Sequence, residues 1–417
     1  MKKADKNPSS STLPANPIIR CFNVKFSPNL GDGLLSECLE HRLIRLGAHK
    51  DTWSIDLAAR EAYGDMMAGR NQIMELLDSM PKSLRGAIVR LPLAIQALRK
   101  WGPHFHRGLE GANAVIVGGG NLISDIDLNF PTKLTLAFKE AEARDLPIVI
   151  YACGMATGWS RTGLRMCRKI FSSPNLKAVF LRDEDSVMRW NSVMAPHVGK
   201  TAEVVRDPGL MAQDLYPMPE RAAGRRPVIG LGIMSHIAIR YHAENAPERA
   251  YLDQWYIDVA KGLLANGFQL RVFTNGSPED KAYAAKLRDQ LSALGGPDDV
   301  LFLEQTDPEG LCSHIAQFDV LIAYRMHAVI AAYSYGVPAI ALAWDRKLKA
   351  FMESVNRGHN LCEVATTSAE ACLSMVVQAY EEGIPAAERE GVLAEARADV
   401  SKAYEALFGR SGQGLQA

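Results

Sequence analysis

The sequence has no surplus of positive charge. Its 417 residues contain 47 Lys and Arg against 47 Asp and Glu, a formal net charge of zero. Holding a phosphodiester backbone requires excess cations, so the balance argues against nucleic acid as a partner. Wholesale disorder is also excluded, because 47% of the residues are hydrophobic and this length fits two or three domains of about 150 residues.

Long apolar runs are missing as well. The most apolar window, residues 328–343, is shorter than the roughly 20 residues of a membrane-spanning helix and is interrupted by Ser334, Gly336 and Pro338. Residues 1–16 are polar and lack the apolar centre of a secretory signal, so we predict a disordered arm there.

Cysteine is scarce and has no pairing pattern. The seven cysteines lack CxxC spacing, and Cys38, Cys153 and Cys167 lie in apolar surroundings, as reduced core thiols do. We therefore predict a cytoplasmic protein. The histidine pairs at 104/106 and 236/242 have no cysteines or carboxylates nearby at ligand spacing, so no metal is predicted. P-loop, GxSxG and HExxH motifs are absent.

Short apolar runs alternate with segments of helical period in both halves of the chain. This order predicts an α/β fold with mostly parallel sheets covered on both faces, and a cleft at the carboxyl ends of the strands. The predicted strands are 18–24, 114–117, 148–152, 179–181, 203–205, 228–232, 269–273, 300–302, 320–322 and 339–342.

The organisation predicted from these elements is bipartite. An N-terminal domain covers residues 17–217, a charged Gly- and Pro-containing linker 218–227, and a C-terminal domain 228–385. Residues 386–408 form one amphipathic helix, and residues 409–417 a disordered tail. This helix either packs on the second domain or crosses back to the first; the pattern leaves both open.

Two turns of the first domain carry polar groups towards the predicted cleft. Asn29, Gly31 and Asp32 follow the first strand, where Asp32 either caps the helix or points a carboxylate into the cleft. GGGN at 118–121 follows the next strand, and its backbone N–H groups either meet an anion or a sugar hydroxyl or form a plain turn.

Two further strand ends carry charge. Arg182 can present its planar fork to a phosphate or carboxylate, and a salt bridge to Asp183 or Asp185 is the alternative. Asp207, in RDPGL at 206–210, is interpreted as shaping the turn before the linker.

The second domain contains the tetrad YRMH at a strand end and helix start. A guanidinium from Arg325 and an imidazole from His327, beside a helix N-terminus, suit an anionic substrate that exchanges protons. Lys347, after the next strand, either adds charge to this cleft or is an ordinary surface lysine.

These motifs, taken in order, resemble those of the polysaccharide pyruvyl transferase family over about residues 18–355. The resemblance implies two facing Rossmann-like domains, similar to GT-B glycosyltransferases, and transfer of a pyruvyl group from phosphoenolpyruvate onto two hydroxyls of a sugar, with release of phosphate. The segments are NLGD (29–32), VGGGNL (117–122), YACGM (151–155), LRDEDS (181–186), RDPGL (206–210) and YRMHAVIAAYSYGVPAIAL (324–342).

The resemblance also implies roles for individual residues. Phosphoenolpyruvate would be held by Arg182, Arg325, the backbone of Met326 and His327, with Lys347 adding charge. His327 would deliver or relay protons. No cofactor is implied, since phosphoenolpyruvate is the donor substrate.

The acceptor side is expected in the first domain, with Asp32 as a candidate base. The implied acceptor is a hexose or N-acetylhexosamine of a bacterial exopolysaccharide or other cell-surface polymer, carried on a polyprenyl diphosphate and closed as a 4,6-ketal. The residues expected to orient its hydroxyls are Asn29, Asp32, Gly119, Gly120 and Asn121.

The resemblance gives no information about residues 52–107, which look like an insertion. Helices are predicted at 70–79 and 83–100, and their mixture of apolar and basic residues fits either core packing or a peripheral contact with the inner face of the cytoplasmic membrane.

Two other functions compete with pyruvyl transfer. A GT-B glycosyltransferase using a nucleotide sugar would place its donor in the same region, but GVP at 336–338 is followed by AIAL with no acidic residue to grip a ribose. A carbohydrate-binding protein without catalysis is the third class, and the presence of Arg182, Arg325 and His327 argues against it.

Overall fold

The computed structural model describes residues 15–65, 92–218, 224–242 and 246–409. Several predictions fall outside these ranges: nearly all of the arm, the helix 70–79, residues 83–91 of the next helix, residues 219–223 of the linker and all but the first residue of the tail. In the described part of the chain, no helix has both the length and the apolar character needed to cross a bilayer.

Each half of the chain forms a six-stranded parallel sheet. The strands are β1 Ile19–Asn23, β2 Trp53–Asp56, β3 Ala114–Gly118, β4 Ile148–Cys153, β5 Leu176–Leu181, β6 Glu203–Val204, β7 Val228–Gly232, β8 Gln269–Phe273, β9 Val300–Phe302, β10 Val320–Ala323, β11 Ala339–Leu342 and β12 Leu361–Cys362. The first sheet has the order β2-β1-β3-β4-β5-β6 and the second the order β12-β11-β10-β7-β8-β9.

Helices cover the faces of both sheets. In the first half they are α1 Leu30–Arg45, α2 Gly102–Gly108, α3 Asn129–Glu142, α4 Arg161–Phe171, α5 Glu184–Val193, α6 Ala195–Val198 and α7 Ala212–Leu215. In the second they are α8 His236–His242, α9 Arg249–Ala265, α10 Pro278–Ser292, α11 Pro308–Ile315, α12 Met326–Ser334, α13 Arg346–Ser354, α14 Ala369–Glu382 and α15 Ala386–Phe408.

All ten predicted strands are present. The central ones are recognisable because a parallel strand buried on both faces is a continuous apolar run. In β3, AVIVG, and in β4, IVIYAC, every residue is buried. The pattern does not predict β2 and β12, two of the four edge strands; the other two, β6 and β9, are predicted. β12 has only two residues, and β2 contains Ser54 and Asp56, which are buried because the polar atoms of β1 and the next turn bond them.

The segment 52–107 is therefore not an insertion throughout, which corrects the prediction. It begins with β2, which pairs in parallel with β1. Residues 92–108 are helical, with a π-helical turn at Ala97–Trp101, and Trp101 and Phe105 are buried in the core of the first sheet. Core packing accounts for Ala97, Trp101 and Phe105, whereas Ile95 and Leu98 on the same helix are exposed.

The C-terminal helix α15 crosses back to the first half of the chain. It packs against β4, β5 and α1, with Val392, Ala396 and Val400 buried. Arg397 on this helix bonds the Asp214 carboxylate through Nε at 2.7 Å and Nη2 at 2.8 Å. Of the two arrangements that the sequence leaves open, the structure has the crossing one.

We expect Gly230→Val in β7 to lower the free energy of unfolding by about 1–3 kcal/mol or more, because added atoms overpack the core. A Cβ atom at Gly230 would lie 2.2 Å from the Phe318 ring. The matched change Gly391→Ala, at an exposed position of α15 with open space around it, should instead stabilise by about 1 kcal/mol or less. Urea denaturation measures both; equal effects would contradict the packing argument.

Candidate active site

The first turn of α1 meets the second domain directly. The Leu30 N–H donates a 2.8 Å hydrogen bond to the Asn275 carbonyl, and Gly276, at φ +96°, packs against Pro28 and Leu30. A Cβ atom placed on Gly31 would lie 2.5 Å from the Cβ of His327 and 2.6 Å from its Nδ1. Only glycine at position 31 allows this approach, which brings the motifs of the two domains together.

His327 lies in the first turn of α12 and is 7% exposed. Its Nε2 has no hydrogen-bond partner among the described residues, and it lies 4.0 Å from Oδ2 of Asp207. Burial, followed by the charges of Arg182, Lys347 and Arg325, lowers the pKa of His327 to about 3. The imidazole is therefore neutral at physiological pH.

Asp207 is the residue whose importance the sequence does not reveal. Its Oδ1 accepts a 2.9 Å hydrogen bond from the Gly209 N–H, which is the turn-shaping role expected of it. Its Oδ2 is buried without a partner in the described part of the chain and faces His327. Burial raises the pKa of Asp207 to about 6; Arg182 and the Gly209 bond oppose the rise, and Asp32 adds to it. The available signals were its position shortly after a strand and its place in RDPGL, and neither indicates a free oxygen facing His327.

Arg182 follows β5 and its side chain is 5% exposed. Its Nε lies 3.7 Å from the Asp183 carboxylate, beyond hydrogen-bonding distance, because Asp183 caps α5 through the Ser186 N–H. A Cβ atom on Gly154 would be 2.9 Å from Nη2 of Arg182 and 2.8 Å from Oδ1 of Asn121. Gly154 therefore makes room for Arg182 and Asn121, which lie together.

Arg325 is held in place by a buried carboxylate. Oδ2 of Asp280 accepts hydrogen bonds from Nε at 2.9 Å and from Nη2 at 2.6 Å, and Nη2 also bonds Ser277 at 3.1 Å. Asp280 is fully buried, and its Oδ1 accepts the Ser235 N–H. Asp280 thus orients the guanidinium and offsets part of its charge, a role that the sequence motifs do not indicate.

Lys347 and Asp32 complete the charged group. Burial and the neighbouring Arg182 lower the pKa of Lys347, which is half-buried in the first turn of α13 and is not a plain surface lysine. Burial raises the pKa of Asp32, and a hydrogen bond from Ser27 and the charges of nearby arginines, Arg325 and Arg182 among them, act against this rise.

The remaining predicted residues are Asn29, Gly119, Gly120 and Met326. Gly120 lies beside Asp32, since a Cβ atom there would be 3.8 Å from Oδ1, and Asn29 has a buried Oδ1 that makes no hydrogen bond within the described residues. Met326, half-buried, opens α12 beside His327. A Cβ atom on Gly119 would face Leu35 on α1, and the Gly119 N–H bonds the Tyr151 carbonyl at 3.1 Å.

The arrangement suits an anion that exchanges protons. Three cations surround a neutral imidazole, and two carboxyl groups with raised pKa values lie beside it. Within the described residues, no group of three or more His, Cys, Asp or Glu side chains has an arrangement that could hold a metal ion.

The raised pKa of Asp207 has a consequence for stability. The ordinary value is 3.8, so the folded protein binds this proton more tightly than the unfolded chain. The stabilisation is complete below about pH 3.8 and is lost as the pH rises through about 6. At neutral pH the buried carboxylate costs about 3 kcal/mol.

We therefore expect Asp207→Asn to raise the free energy of unfolding at pH 7.5 by up to about 3 kcal/mol, since the amide still caps Gly209 and carries no charge. The advantage over wild type should disappear at pH 4. Urea denaturation at both pH values measures this, and a less stable variant at pH 7.5 would refute it.

Solved structures share this architecture. UDP-GlcNAc 2-epimerase from Neisseria meningitidis, bound to UDP-GlcNAc, superposes with a TM-score of 0.53 at 13% identity over 94% of this chain and 100% of that one. The enzyme of the same name from Methanocaldococcus jannaschii gives 0.53 at 9% identity, over 94% and 99% of the two chains. At such identities the likeness shows the fold alone, two Rossmann-like domains in the GT-B arrangement.

Sequence comparison is more specific about the family. A search of curated proteins finds no match. The family profile named polysaccharide pyruvyl transferase matches residues 29–346, from the first turn of α1 to the start of α13. That stretch contains Asp32, Arg182, Asp207 and His327, and it is most of the chain. The protein is a member of the polysaccharide pyruvyl transferase family of enzymes.

Proposed function

We propose that the protein transfers the pyruvyl group of phosphoenolpyruvate onto two hydroxyls of one sugar in a bacterial cell-surface glycan and releases phosphate. The observation that carries this proposal is that Arg182, Arg325 and Lys347 lie near enough to the buried imidazole of His327 for their charges to lower its pKa. Phosphoenolpyruvate combines a phosphate, a carboxylate and an enol carbon that must be protonated, so it needs several cations and a proton donor within one small site.

The donor would lie against the first turns of α12 and α13. Arg182, whose Nε makes no hydrogen bond in the described part of the chain, and Lys347 are the cations proposed to bond the ligand most directly. Arg325 already gives Nε and Nη2 to Asp280, so it would offer Nη1. The backbone N–H groups at the start of α12 add the positive end of the helix dipole.

Donor binding would change the charge state of His327. The negative charges of phosphoenolpyruvate would offset the three cations that lower the pKa of His327, so this pKa would rise and the imidazole could bind a proton. A protonated His327 would then be the general acid for the enol methylene.

The reaction is balanced without an oxidant or reductant. A proton adds to the methylene carbon, and the oxygen of one sugar hydroxyl bonds the neighbouring carbon and loses its proton. The carbon–oxygen bond to phosphate then breaks, phosphate leaves with the electron pair, and the second hydroxyl closes the ketal. Of the two hydroxyl protons, one is recovered in the new methyl group and the other leaves with phosphate.

The acceptor would enter from the first domain. Asp32, with Gly120 beside it, and Asn29 lie at the start of α1, next to His327. Asp32 is the proposed base for the hydroxyls, and Asn29 and Asn121 supply amide groups that orient them. A hexose on a polyprenyl diphosphate carrier, closed as a 4,6-ketal because those hydroxyls form a six-membered ring, is the proposed acceptor.

The proposal is tested by ligand-dependent stability and by phosphate release. Phosphoenolpyruvate should raise the thermal midpoint, whereas pyruvate and UDP-glucose should not, since only a ligand that binds the folded state stabilises it. Phosphate release should then require a sugar acceptor, for which 4-nitrophenyl hexosides and N-acetylhexosaminides are probes. A shift with UDP-glucose and none with phosphoenolpyruvate would favour glycosyl transfer from a nucleotide sugar.

Lys347→Met should weaken phosphoenolpyruvate binding by about 10- to 100-fold, the loss of one charge-assisted contact. Lys349→Met is the matched control, because Lys349 lies on the same helix with its side chain 63% exposed and pairs only loosely with Glu353. Calorimetric titration measures both affinities. Equal losses in the two variants would mean that overall charge, and not a contact from Lys347, attracts the donor.

A further inference from the structure

Two buried polar atoms face each other without hydrogen bonds beside the proposed donor site. They are Nε2 of His327 and Oδ2 of Asp207, 4.0 Å apart, on side chains that are 9% and 6% exposed. Buried polar atoms are nearly always bonded, so such a pair calls for an explanation. The gap is about 1 Å longer than a hydrogen bond, and catalytic contacts of empty sites often tighten only when substrate binds.

The turn itself does not need the second oxygen of Asp207. Oδ1 alone bonds the Gly209 N–H, and an asparagine would make the same bond. Asp307 performs a similar task in an Asp-Pro cap at the start of α11, where Oδ1 accepts the Gly310 N–H and the Thr306 hydroxyl lies 3.3 Å from Oδ2. A free, buried carboxylate oxygen aimed at an imidazole is thus a feature of position 207 beyond capping.

The other nitrogen of His327 points in a different direction. Nδ1 lies beside Gly31, at the first turn of α1, where Asn29 and Asp32 begin the proposed acceptor side. The imidazole therefore lies between a carboxylate within the fold and the junction of the two domains, as an orienting carboxylate, histidine and substrate do in hydrolases.

We propose that Asp207 positions His327 for proton transfer: its Oδ2 accepts a hydrogen bond from Nε2–H, which leaves Nδ1 to exchange protons with the substrates. This rests on the proposed function above. Asp207 acts through His327 and is a positioning residue. When His327 gains a proton on donor binding, the carboxylate of Asp207 stabilises the imidazolium.

The surrounding charges set the pH dependence. Arg182, Lys347 and Arg325 face His327, and Arg182 and Asp32 face Asp207. The proposed hydrogen bond between Asp207 and His327 requires an ionised Asp207, and the pKa of Asp207 is about 6. The kcat/KM of the wild type should therefore fall as the pH drops through this value.

Kinetics of Asp207→Asn test the proposal, with Asp207→Glu as the conservative variant and Asp307→Asn as the matched control. Asp207→Asn should lower kcat by about 10²- to 10⁴-fold, while KM for phosphoenolpyruvate stays within about threefold of the wild-type value. The fall of kcat/KM at acidic pH should also disappear in this variant. Asp207→Glu should recover part of kcat, and Asp307→Asn should match the wild type. Unchanged kcat, or loss of phosphoenolpyruvate binding alone, would overturn it.

A second measurement needs neither substrate nor turnover. Nitrogen-15 NMR of histidine-labelled protein reports which ring nitrogen of His327 carries the proton, with the signal identified by its absence in His327→Asn. In the wild type, Nε2 of His327 should carry the proton. In Asp207→Asn, the proton should not be on Nε2 in every molecule. A wild-type proton on Nδ1 would refute the pair even if phosphoenolpyruvate is the donor, and an Nε2 proton without phosphate release would refute the proposed function alone.

Discussion

The close approach of α1 to α12 is the constraint on which the site depends. The missing side chain of Gly31 lets the first turn of α1 rest on the ring of His327, and the Leu30 N–H binds the Asn275 carbonyl beside it. A contact made by backbone fixes the separation of the two sheets more firmly than long side chains would, since fewer rotatable bonds lie between them. Residues that follow six strands, β1, β3, β5, β6, β10 and β11, are then brought close together.

The charges gathered in this site are electrostatically unfavourable. Arg182, Lys347 and Arg325 repel one another and depress the basicity of His327, while burial makes the carboxylates of Asp32 and Asp207 costly. Functional sites commonly carry such strain, because the binding of a complementary anion relieves it. The buried carboxylate of Asp280 pairs with Arg325 and so offsets part of the repulsion between Arg325 and the other cations.

Patterns of residue type along the chain predict the central strands and the motifs at strand ends. They do not predict contacts between residues that are distant in sequence. Central strands such as β3 and β4 are recognisable because burial on both faces makes them apolar throughout, whereas β2 is half polar and stable only through bonds from β1 and the following turn. Arg182, Arg325 and His327 stand in motifs at strand ends, so their convergence is predictable. Asp207 also follows a strand, but its free oxygen is evident only once α12 is packed against it, and Asp280 lies in no recognised motif.

The return of α15 to the first sheet also affects how the chain folds during synthesis. Domains usually fold in order as they leave the ribosome, the N-terminal one first. Here the helix that covers β4 and β5 is Ala386–Phe408, and Arg206, just after β6, bonds Glu395 and Asp399 on that helix. The first half therefore emerges with an apolar face uncovered and waits for the end of the second half to close it. Folding of the two halves is coupled, and the nascent first sheet is the part of this chain that most needs protection from aggregation.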